Sequence, residues 1–345
     1  MRAGLVLGKE QFELVEVGDP AAGPGQVVVE IARCGICGSD VHAYQDGWSY
    51  APGICGHEWV GTVVDIDGAV SPDLMAEGMR VIGGQAPGCG SCQECRADIP
   101  HFCRVAASQY GGRNAPSSGG FAPYMTLNAE RLVVVPEGAS DEQMALAEPA
   151  SVALHAVRRS RLRIGDVACV VGCGPIGLMA IQCARIGGAG RVVAVEPSEE
   201  RRLTALALGA DVAVAPGKEL EAAVDELTGG LRADIAYDCA GIPATLQQSV
   251  DMVRRGGSVC MVGVTGEAAT IQPMRWMMKE VSVDTSIRST LDEMAICADL
   301  IATGRISTDG MVSGTVTLDE LPSMIDDLAN RRVKAVKIMV DPTGG

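Results

Sequence analysis

Aromatic side chains and positive charge are both scarce in this chain. Aromatic residues make up 3% of its 345 residues, and 28 lysines and arginines stand against 43 aspartates and glutamates, a net charge of −15. No run of lysine or arginine exceeds two residues, so the chain offers no basic stripe to a phosphate backbone or an anionic bilayer. We therefore expect neither nucleic acid nor a membrane surface among its partners.

Long apolar segments are also rare, with one exception. Residues 167–184 carry no charge over 18 positions, the length of a short membrane span. Three glycines and a proline interrupt the stretch, and such breakers indicate a strand, a tight turn and the start of a helix. The first residues, MRAGLVLGKEQFELVEVG, are interrupted early by charge, which argues against a signal peptide. The sequence thus predicts a cytoplasmic protein without a transmembrane segment.

Cysteine, in contrast, is abundant, with 13 residues. An odd number of cysteines without a signal peptide fits reduced thiols better than a disulfide framework. We expect the thiols to be reduced and in part bound to metal.

Two regions of the chain differ in their periodicity. The first third contains short β-branched runs separated by Gly and Pro, which predicts antiparallel strands and long loops. From about residue 146, helix-length segments alternate with apolar strands, which predicts a parallel sheet covered on both faces. The predicted strands include Val27–Ile31, Val60–Ile66, Val167–Val171, Arg191–Val195, Ile235–Asp238 and Val259–Val262.

A glycine-rich turn follows the predicted strand Val167–Val171 and opens a helix. Its residues are Gly172, Cys173, Gly174, Pro175, Ile176 and Gly177. In a GxGxxG pattern the first glycine makes a tight turn, and the second lets the backbone approach a pyrophosphate at the helix N-terminus. A flexible turn without a ligand is the alternative. Glu196 ends the next predicted strand, where it would accept both ribose hydroxyls of an adenosine, so we expect dinucleotide binding.

Glu196 also predicts NAD rather than NADP, because a carboxylate there repels a 2′-phosphate. Arg201 and Arg202 could meet such a phosphate, which keeps NADP as the less favoured alternative. Their more ordinary role is to lie near the adenine or to pair with Glu199 or Glu200.

A loop in the first region contains four cysteines with the spacing C-x2-C-x2-C-x7-C. They are Cys89, Cys92, Cys95 and Cys103, and we call this segment the four-cysteine loop. Four thiolates around one tetrahedral ion form a structural zinc site. An iron–sulfur cluster is the competing interpretation, because thiolates bind both. The least favoured interpretation is four free thiols, since the loop supplies little apolar burial for them.

A second candidate metal site combines Cys37, from CGSDVH, with His57 and Glu58, from GHE. One thiolate, one imidazole and one carboxylate, with a position left for water or substrate, are what a catalytic zinc requires. His42 and His57 could instead be ordinary core or surface histidines. Cys34 and Cys37 also form a C-x-x-C pair, so thiol–disulfide exchange through a low-pKa cysteine is a further alternative.

The segments CGICGSDVH, GHE, the four-cysteine loop and VGCGPIG, in this order, make the chain resemble the zinc-dependent medium-chain alcohol dehydrogenases over essentially its whole length. Within that family it is most similar to the sorbitol, threonine and butanediol dehydrogenases, because Glu148 stands where classical alcohol dehydrogenases carry a cysteine ligand. The resemblance implies that Cys37 and His57 bind a catalytic zinc. It also implies that Glu58 or Glu148 completes the metal shell, directly or through water.

The resemblance implies roles for further residues. Asp40 would orient the ring of His57, with a loop cap as the alternative, and Ser39 and His42 would form a proton relay. For the cofactor it implies contacts from Ile176, Glu196, Arg201, the turn Val262-Gly263-Val264 and the pair Ser286-Ile287, the last two lying against the nicotinamide half.

The family also implies an α/β architecture with two domains. A GroES-like, partly open β-barrel would form the catalytic domain from residues 1–146 and 287–345. A Rossmann domain with a doubly wound parallel sheet would bind NAD through residues 147–286. Members of this branch are commonly oligomers, so a homotetramer or homodimer is expected.

The expected reaction is hydride transfer between a secondary alcohol or polyol and NAD, giving the ketone, with one catalytic and one structural zinc per chain. The alcohol proton would leave through Ser39, the cofactor ribose and His42. Alternatives are an NADP-linked ketone reductase of the same family, a catalytically silent NAD-binding relative and a zinc-ribbon interaction module. Candidate pocket residues are Trp48, Tyr50, Trp59, Trp276 and Arg288, although the tryptophans could equally be core residues.

Overall fold

The structure is a computed structural model that describes residues 1–47, 54–84, 88–105 and 119–344. The chain forms two compact units. The first contains Met1–Glu148, Ser289–Thr308 and Val312–Gly345, and the second contains Pro149–Arg288 and Asp309–Met311. Trp48 and Tyr50 lie outside the described residues.

The first unit is built mainly from antiparallel strands. They are β1 (Arg2–Gly8), β2 (Gln11–Glu16), β3 (Gln26–Gly35), β4 (Glu58–Ile66), β5 (Arg80–Gly83), β6 (Tyr124–Asn128), β7 (Leu132–Val134), β14 (Val312–Thr317) and β15 (Lys337–Asp341). β1 and β2 form a hairpin, whereas the other strands form a sheet in the order β14-β15-β3-β4-β5-β7, with β6 also paired to β3. Alternate apolar residues of β3, such as Val27, Val29 and Ile31, enter the core.

The second unit contains a six-stranded parallel sheet. Its strands are β8 (Val167–Val171), β9 (Arg191–Val195), β10 (Val212–Val214), β11 (Ala233–Asp238), β12 (Val253–Met261) and β13 (Ser282–Thr285). The order is β10-β9-β8-β11-β12-β13, and all neighbouring strands are parallel. The chain therefore reverses its direction of travel across the sheet between β8 and β11, where open α/β sheets bind ligands at their carboxyl edge.

The helices connect and cover these strands. They are α1 (Gly38–Asp46), α2 (Gln93–Arg96), α3 (Asp141–Ala145), α4 (Ala147–Arg159), α5 (Pro175–Ile186), α6 (Glu199–Ala207), α7 (Lys218–Thr228), α8 (Pro243–Met252), α9 (Pro273–Lys279), α10 (Leu291–Ala302) and α11 (Leu321–Ala329). Two short 3₁₀ turns lie at Pro100–Phe102 and Ala129–Arg131. Among the described residues, no helix is both long and apolar enough to cross a membrane.

Capping boxes fix where α3 and α10 begin. Ser140 Oγ accepts a hydrogen bond from the backbone N–H of Gln143, and the Gln143 side chain accepts one from the N–H of Ser140. Thr290 and Glu293 make the same reciprocal pair at the start of α10. Each box satisfies N–H groups that would otherwise lack a helical partner.

Candidate active site

Cys37 lies between the end of β3 and the first turn of α1. It is the N-cap residue of that helix, in an extended conformation. Asp40 Oδ2 accepts a hydrogen bond of 3.0 Å from the backbone N–H of Cys37, and the carboxylate of Asp40 is fully buried. Its Oδ1 atom is 3.8 Å from His57 Nδ1. Asp40 therefore caps the helix and lies at ion-pair distance from the imidazole, although 3.8 Å is too long for a hydrogen bond.

His57 and Glu58 reach the same place from the next strand. Glu58 begins β4, directly opposite Gly35 of β3, and it is 1% exposed. Cys37, His57 and Glu58 each offer one ligand atom, and these atoms all lie within 4.8 Å of one another. The strand register thus brings together three side chains that could hold one metal ion.

Glu148 and Lys337 act on this cluster electrostatically. Burial lowers the pKa of His57, but the negative groups Cys37, Asp40 and Glu148 outweigh it and raise that pKa to about 10. Lys337 Nζ lies 2.5 Å from Glu58 Oε2. Cys37, Asp40 and Glu148 therefore favour a positive charge at His57, which suits a divalent cation. The ligand atoms of Glu148 do not join the 4.8 Å cluster of described residues.

Ser39 and His42 lie on α1, one turn apart. Ser39 Oγ is buried and has no hydrogen-bond partner among the described residues. His42 is partly exposed. A buried hydroxyl without a partner is costly unless a ligand or water completes it, so Ser39 fits a group that contacts substrate.

Cys34 does not fit a dithiol redox centre. Its side chain is fully buried in the core of the first unit. Burial, together with the charges of Asp40 and Glu58, raises the pKa of Cys34 well above its ordinary value. A redox cysteine needs a lowered pKa and access to solvent, so the buried Cys34 does not support the thiol–disulfide alternative for the C-x-x-C pair.

The four-cysteine loop forms a second cluster. The four Sγ atoms lie within 4.8 Å of one another, and Cys92 Sγ is 3.6 Å from Cys103 Sγ. The backbone N–H groups of Cys89 and Cys92 point to the sulfurs of Cys103 and Cys89, at 3.4 and 3.3 Å. Arg104 Nε donates a bond of 2.9 Å to Glu94 across the loop. Four converging sulfurs fit a closed tetrahedral metal site.

The glycine-rich turn of the second unit has the conformation that its sequence predicts. Gly172 has a φ of +90°, and a Cβ on Gly177 would collide with the carbonyl oxygen of Gly172. Gly174 is the N-cap of α5, and a Cβ there would meet nothing within 4 Å. The turn therefore leaves open space beside the first free N–H groups of the helix, as pyrophosphate binding requires.

Glu196 lies next to this turn rather than extending into solvent. It is 6% exposed, and its Oε2 atom accepts a hydrogen bond of 2.9 Å from the backbone N–H of Cys173. Arg202 Nη1 donates to the backbone carbonyl oxygens of Glu196 and Pro197 at 2.9 and 2.7 Å. The guanidinium of Arg202 is thus hydrogen-bonded to the backbone of the segment that carries Glu196.

The remaining cofactor candidates follow the carboxyl ends of β12 and β13. Val262 and Gly263 donate backbone hydrogen bonds to the carbonyl oxygen of Asp238, at 2.9 and 2.8 Å. Ser286 is buried, and its Oγ has no partner among the residues that the structure describes. Val264 and Ile287 are 54% and 50% exposed. An unpaired buried hydroxyl and exposed apolar side chains fit a cofactor ring at this edge of the sheet.

Two of the pocket candidates are packing residues. Trp59 is 5% exposed in the core of the first unit, where its indole lies over Gly83. Trp276 packs against the core of the second unit, and its Nε1 donates a bond of 3.0 Å to Gln247. Lys337 was not among the sequence candidates. The one signal for it was a lysine within the apolar strand VKIMV.

Comparison with known proteins identifies the family. A model of the alcohol dehydrogenase GroES-like domain matches residues 23–137, and a model of the zinc-binding dehydrogenase domain matches residues 175–303. The chain is 32% identical to (R,R)-butanediol dehydrogenase of Bacillus subtilis (strain 168), over 99% of this chain and 100% of that protein. The chain belongs to the zinc-dependent medium-chain alcohol dehydrogenase family.

Other members support the same assignment. L-threonine 3-dehydrogenase of Shewanella woodyi is 33% identical over 75% of each chain. A solved structure from Sinorhizobium meliloti 1021, described as a zinc-binding dehydrogenase bound to NADP, is 30% identical, covers 99% of both chains and superimposes with a TM-score of 0.87. The family resemblance and the fold class expected from the sequence are confirmed. The protein is an oxidoreductase of alcohols or polyols that uses zinc and a nicotinamide cofactor.

Proposed function

We propose that this dehydrogenase oxidises a secondary alcohol or polyol to the ketone with NAD, using one catalytic and one structural zinc ion per chain. The observation that carries the proposal is the convergence of Cys37, His57 and Glu58 within 4.8 Å, together with the buried Ser39 hydroxyl, which has no hydrogen-bond partner among the described residues and lies two positions after Cys37. This donor set of sulfur, nitrogen and oxygen matches catalytic zinc sites with three protein ligands.

Cys37, His57 and one glutamate would hold the catalytic ion. Zinc supplies Lewis acidity, which makes an alcohol hydroxyl far more acidic than it is in water. Asp40 accepts a hydrogen bond from the backbone of Cys37 and lies at ion-pair distance from His57 Nδ1, so it would orient the His57 ring. The four-cysteine loop would hold the structural ion.

Ser39 and His42 would remove the alcohol proton. The buried Ser39 Oγ would accept a hydrogen bond from the substrate hydroxyl, because it has no competing partner among the described residues. His42, partly exposed one turn further along α1, would pass the proton to solvent, since an imidazole can both accept and donate a proton.

The second unit would bind NAD through the glycine turn and Glu196. NAD supplies the acceptor for the hydride. Gly174 leaves room for the pyrophosphate, Glu196 lies where the adenosine ribose binds in this fold, and the Ser286 hydroxyl offers a hydrogen bond to the nicotinamide half. We assign the catalytic role to residues 1–146 and 287–345 and cofactor binding to residues 147–286.

The test is cofactor reduction, followed by near-ultraviolet absorbance with NAD and NADP in parallel. The substrate panel contains secondary alcohols, acyclic polyols, cyclitols, 2,3-butanediol and threonine. We expect a signal with NAD that a chelator abolishes. Cys37→Ser should lose activity and one zinc per chain, whereas Ser39→Ala should turn over slowly and keep both zinc ions. Full activity of Cys37→Ser would refute the assignment.

NADP is the second candidate cofactor, because the similar Sinorhizobium meliloti structure is bound to it. Against it, the Glu196 carboxylate would repel a 2′-phosphate, and Arg202 already donates to two backbone carbonyls. Faster reduction of NADP than of NAD across the panel would favour an NADP-linked ketone reductase. Silence with both cofactors, in a protein with two zinc ions, would mean an untested substrate.

A further inference from the structure

Lys337 is buried beside the candidate metal ligands. Its side chain and that of Glu58 are each 2% exposed, and Lys337 Nζ lies 2.5 Å from Glu58 Oε2. The same ammonium donates a bond of 2.8 Å to the backbone carbonyl oxygen of Ile36, one residue before Cys37. Lys337 therefore contacts both segments that supply the cluster of Cys37, His57 and Glu58.

The sheet provides space for this ion pair at Gly35. Strand β15 pairs with β3, and Met339 stands opposite Gly35 in the register. Glu58 stands opposite Gly35 on the other side. A Cβ on Gly35 would collide with the Glu58 carboxylate and would lie 3.2 Å from Lys337 Cδ. The absence of a side chain at this position therefore allows the pair to form over the backbone.

A buried ion pair contributes little net stability to a protein core. Removing two charges from water costs several kcal/mol for each ion, and apolar residues of similar volume often serve stability as well. The charges of Cys37 and Glu148 also act on Lys337, so the lysine interacts with three candidate ligands, of which one glutamate would bind the ion. Its position therefore points to a role in the metal site.

We propose that Lys337 is a positioning residue that restrains Glu58 and competes with zinc for its carboxylate. This inference rests on the proposed catalytic zinc site. By holding Oε2, the ammonium limits how far Glu58 can close the metal shell, and it keeps a position available to the substrate oxygen, which catalytic zinc sites require. Zinc binding is then weaker than the three ligands alone would allow, because the ammonium holds the Glu58 carboxylate that would otherwise close on the ion.

The test measures zinc affinity in the Lys337→Met variant. Zinc is removed from the catalytic site and added back in competition with a chromophoric chelator. We expect the variant to bind this zinc about ten-fold more tightly than wild type, since Glu58 is then released to ligate the ion. The visible spectrum of Co²⁺ in the same site should change as Glu58 moves onto the metal. Lys337→Arg keeps the charge and should retain the affinity of wild type.

Lys279→Met is the matched control. Lys279 donates to the backbone carbonyls of Val250, Asp251 and Val253 at 2.8 to 2.9 Å in the second unit. Its loss should lower thermal stability without changing zinc affinity. Unchanged or weaker zinc binding in Lys337→Met would overturn the inference. If Cys37→Ser also left the zinc content unchanged, the proposed function itself would fail, which separates the two results.

A double substitution covers the case in which Lys337→Met does not fold. Glu58→Gln with Lys337→Met replaces both charges, so no buried charge is left without a partner. If Lys337 acts through Glu58, the double variant and Glu58→Gln alone should bind zinc equally tightly. A ten-fold difference between these two variants would show that the lysine acts without Glu58, and it would refute the restraint.

Discussion

The carboxylate of Glu196 is hydrogen-bonded to Cys173 in the glycine turn, and the helix α5 and the strand β9 lie between these two residues in the chain. Its Oε2 accepts a hydrogen bond of 2.9 Å from the backbone N–H of Cys173, and its Oε1 accepts one of 3.0 Å from the backbone N–H of Ser198. The acid therefore holds together the two segments that the adenosine half of a dinucleotide contacts in this fold.

We expect Glu196→Gln to weaken NAD binding and to reduce the discrimination against NADP. A hydrogen bond to a charged group contributes about 1.5 to 3 kcal/mol, so the dissociation constant of NAD should rise about ten-fold or more. Titration of the intrinsic fluorescence with each cofactor measures both effects. Glu200→Gln, an exposed acid on α6, is the control and should bind NAD like wild type. Equal NAD affinity in both variants would contradict the role of Glu196.

Alanine at the two later glycines of the turn should separate folding from cofactor binding. Gly174→Ala places its Cβ in open space, so the thermal midpoint should stay near that of wild type while NAD binding weakens. Gly177→Ala forces the methyl group onto the carbonyl oxygen of Gly172, so it should lower both the midpoint and the affinity. Calorimetry and cofactor titration measure the two properties. Normal NAD binding by Gly174→Ala would show that no pyrophosphate lies there.

Removal of metal should change the labelling of cysteines in the first unit but not of those in the second unit. With a chelator, Cys37 and the four-cysteine loop should become reactive towards an alkylating reagent near pH 8. Cys169 and Cys183 should stay unlabelled with or without the chelator, because burial raises the pKa of each thiol to about 12. Mass spectrometry of the labelled peptides gives the result for each cysteine. Rapid labelling of the loop in metal-loaded protein would argue against a metal there.

Asp238 should make the stability of the second unit depend on pH. Burial raises the pKa of this carboxyl above its ordinary 3.8, although hydrogen bonds from Thr245 and from the backbone of Ala240 and Gly241 partly counteract it. Above pH 3.8 the unfolded chain releases this proton, whereas the folded chain still holds it. The free energy of unfolding therefore falls as pH rises through the window between the two pKa values.

The variant Asp238→Asn isolates this effect, because it has no proton to release. The free energy of unfolding of wild type minus that of the variant should fall as pH rises above the ordinary carboxyl pKa of 3.8, measured by urea unfolding. Thr245→Val removes a hydrogen bond to the carboxylate and should widen the window. A difference that does not vary with pH would contradict the prediction.

The parts of the fold that depend on local pattern could be predicted from the sequence. β8 and β9 begin and end where the apolar runs Val167–Val171 and Arg191–Val195 do, because buried parallel strands are continuous apolar segments. β12 begins at Val253, before the predicted Val259, because Val253 pairs with Ala233 of β11 and a stretch of charged and glycine residues separates it from the next paired residue, Ser258. That pairing is a tertiary property that the local sequence does not show.

The candidate site divides in the same way. The short motifs CGSDVH and GHE each contain their candidate ligands within a few consecutive residues, so Cys37 and His57 could be proposed without a structure. Lys337 could not, because its partner Glu58 is 279 positions away in the chain and only the register of β15 against β3 brings them together. Trp59 shows the opposite case, since a residue next to the ligands proves to be a core residue.

The separation of Glu58 from Lys337 also has a consequence for protein synthesis. A ribosome makes β3, β4 and the proposed ligands Cys37, His57 and Glu58 first, and it must then make the whole parallel-sheet unit before it reaches Lys337. A nascent chain at that stage contains Glu58 but not the lysine that pairs with it. The order of translation therefore lets the ligand residues emerge, and meet cellular zinc, before their internal counter-ion exists.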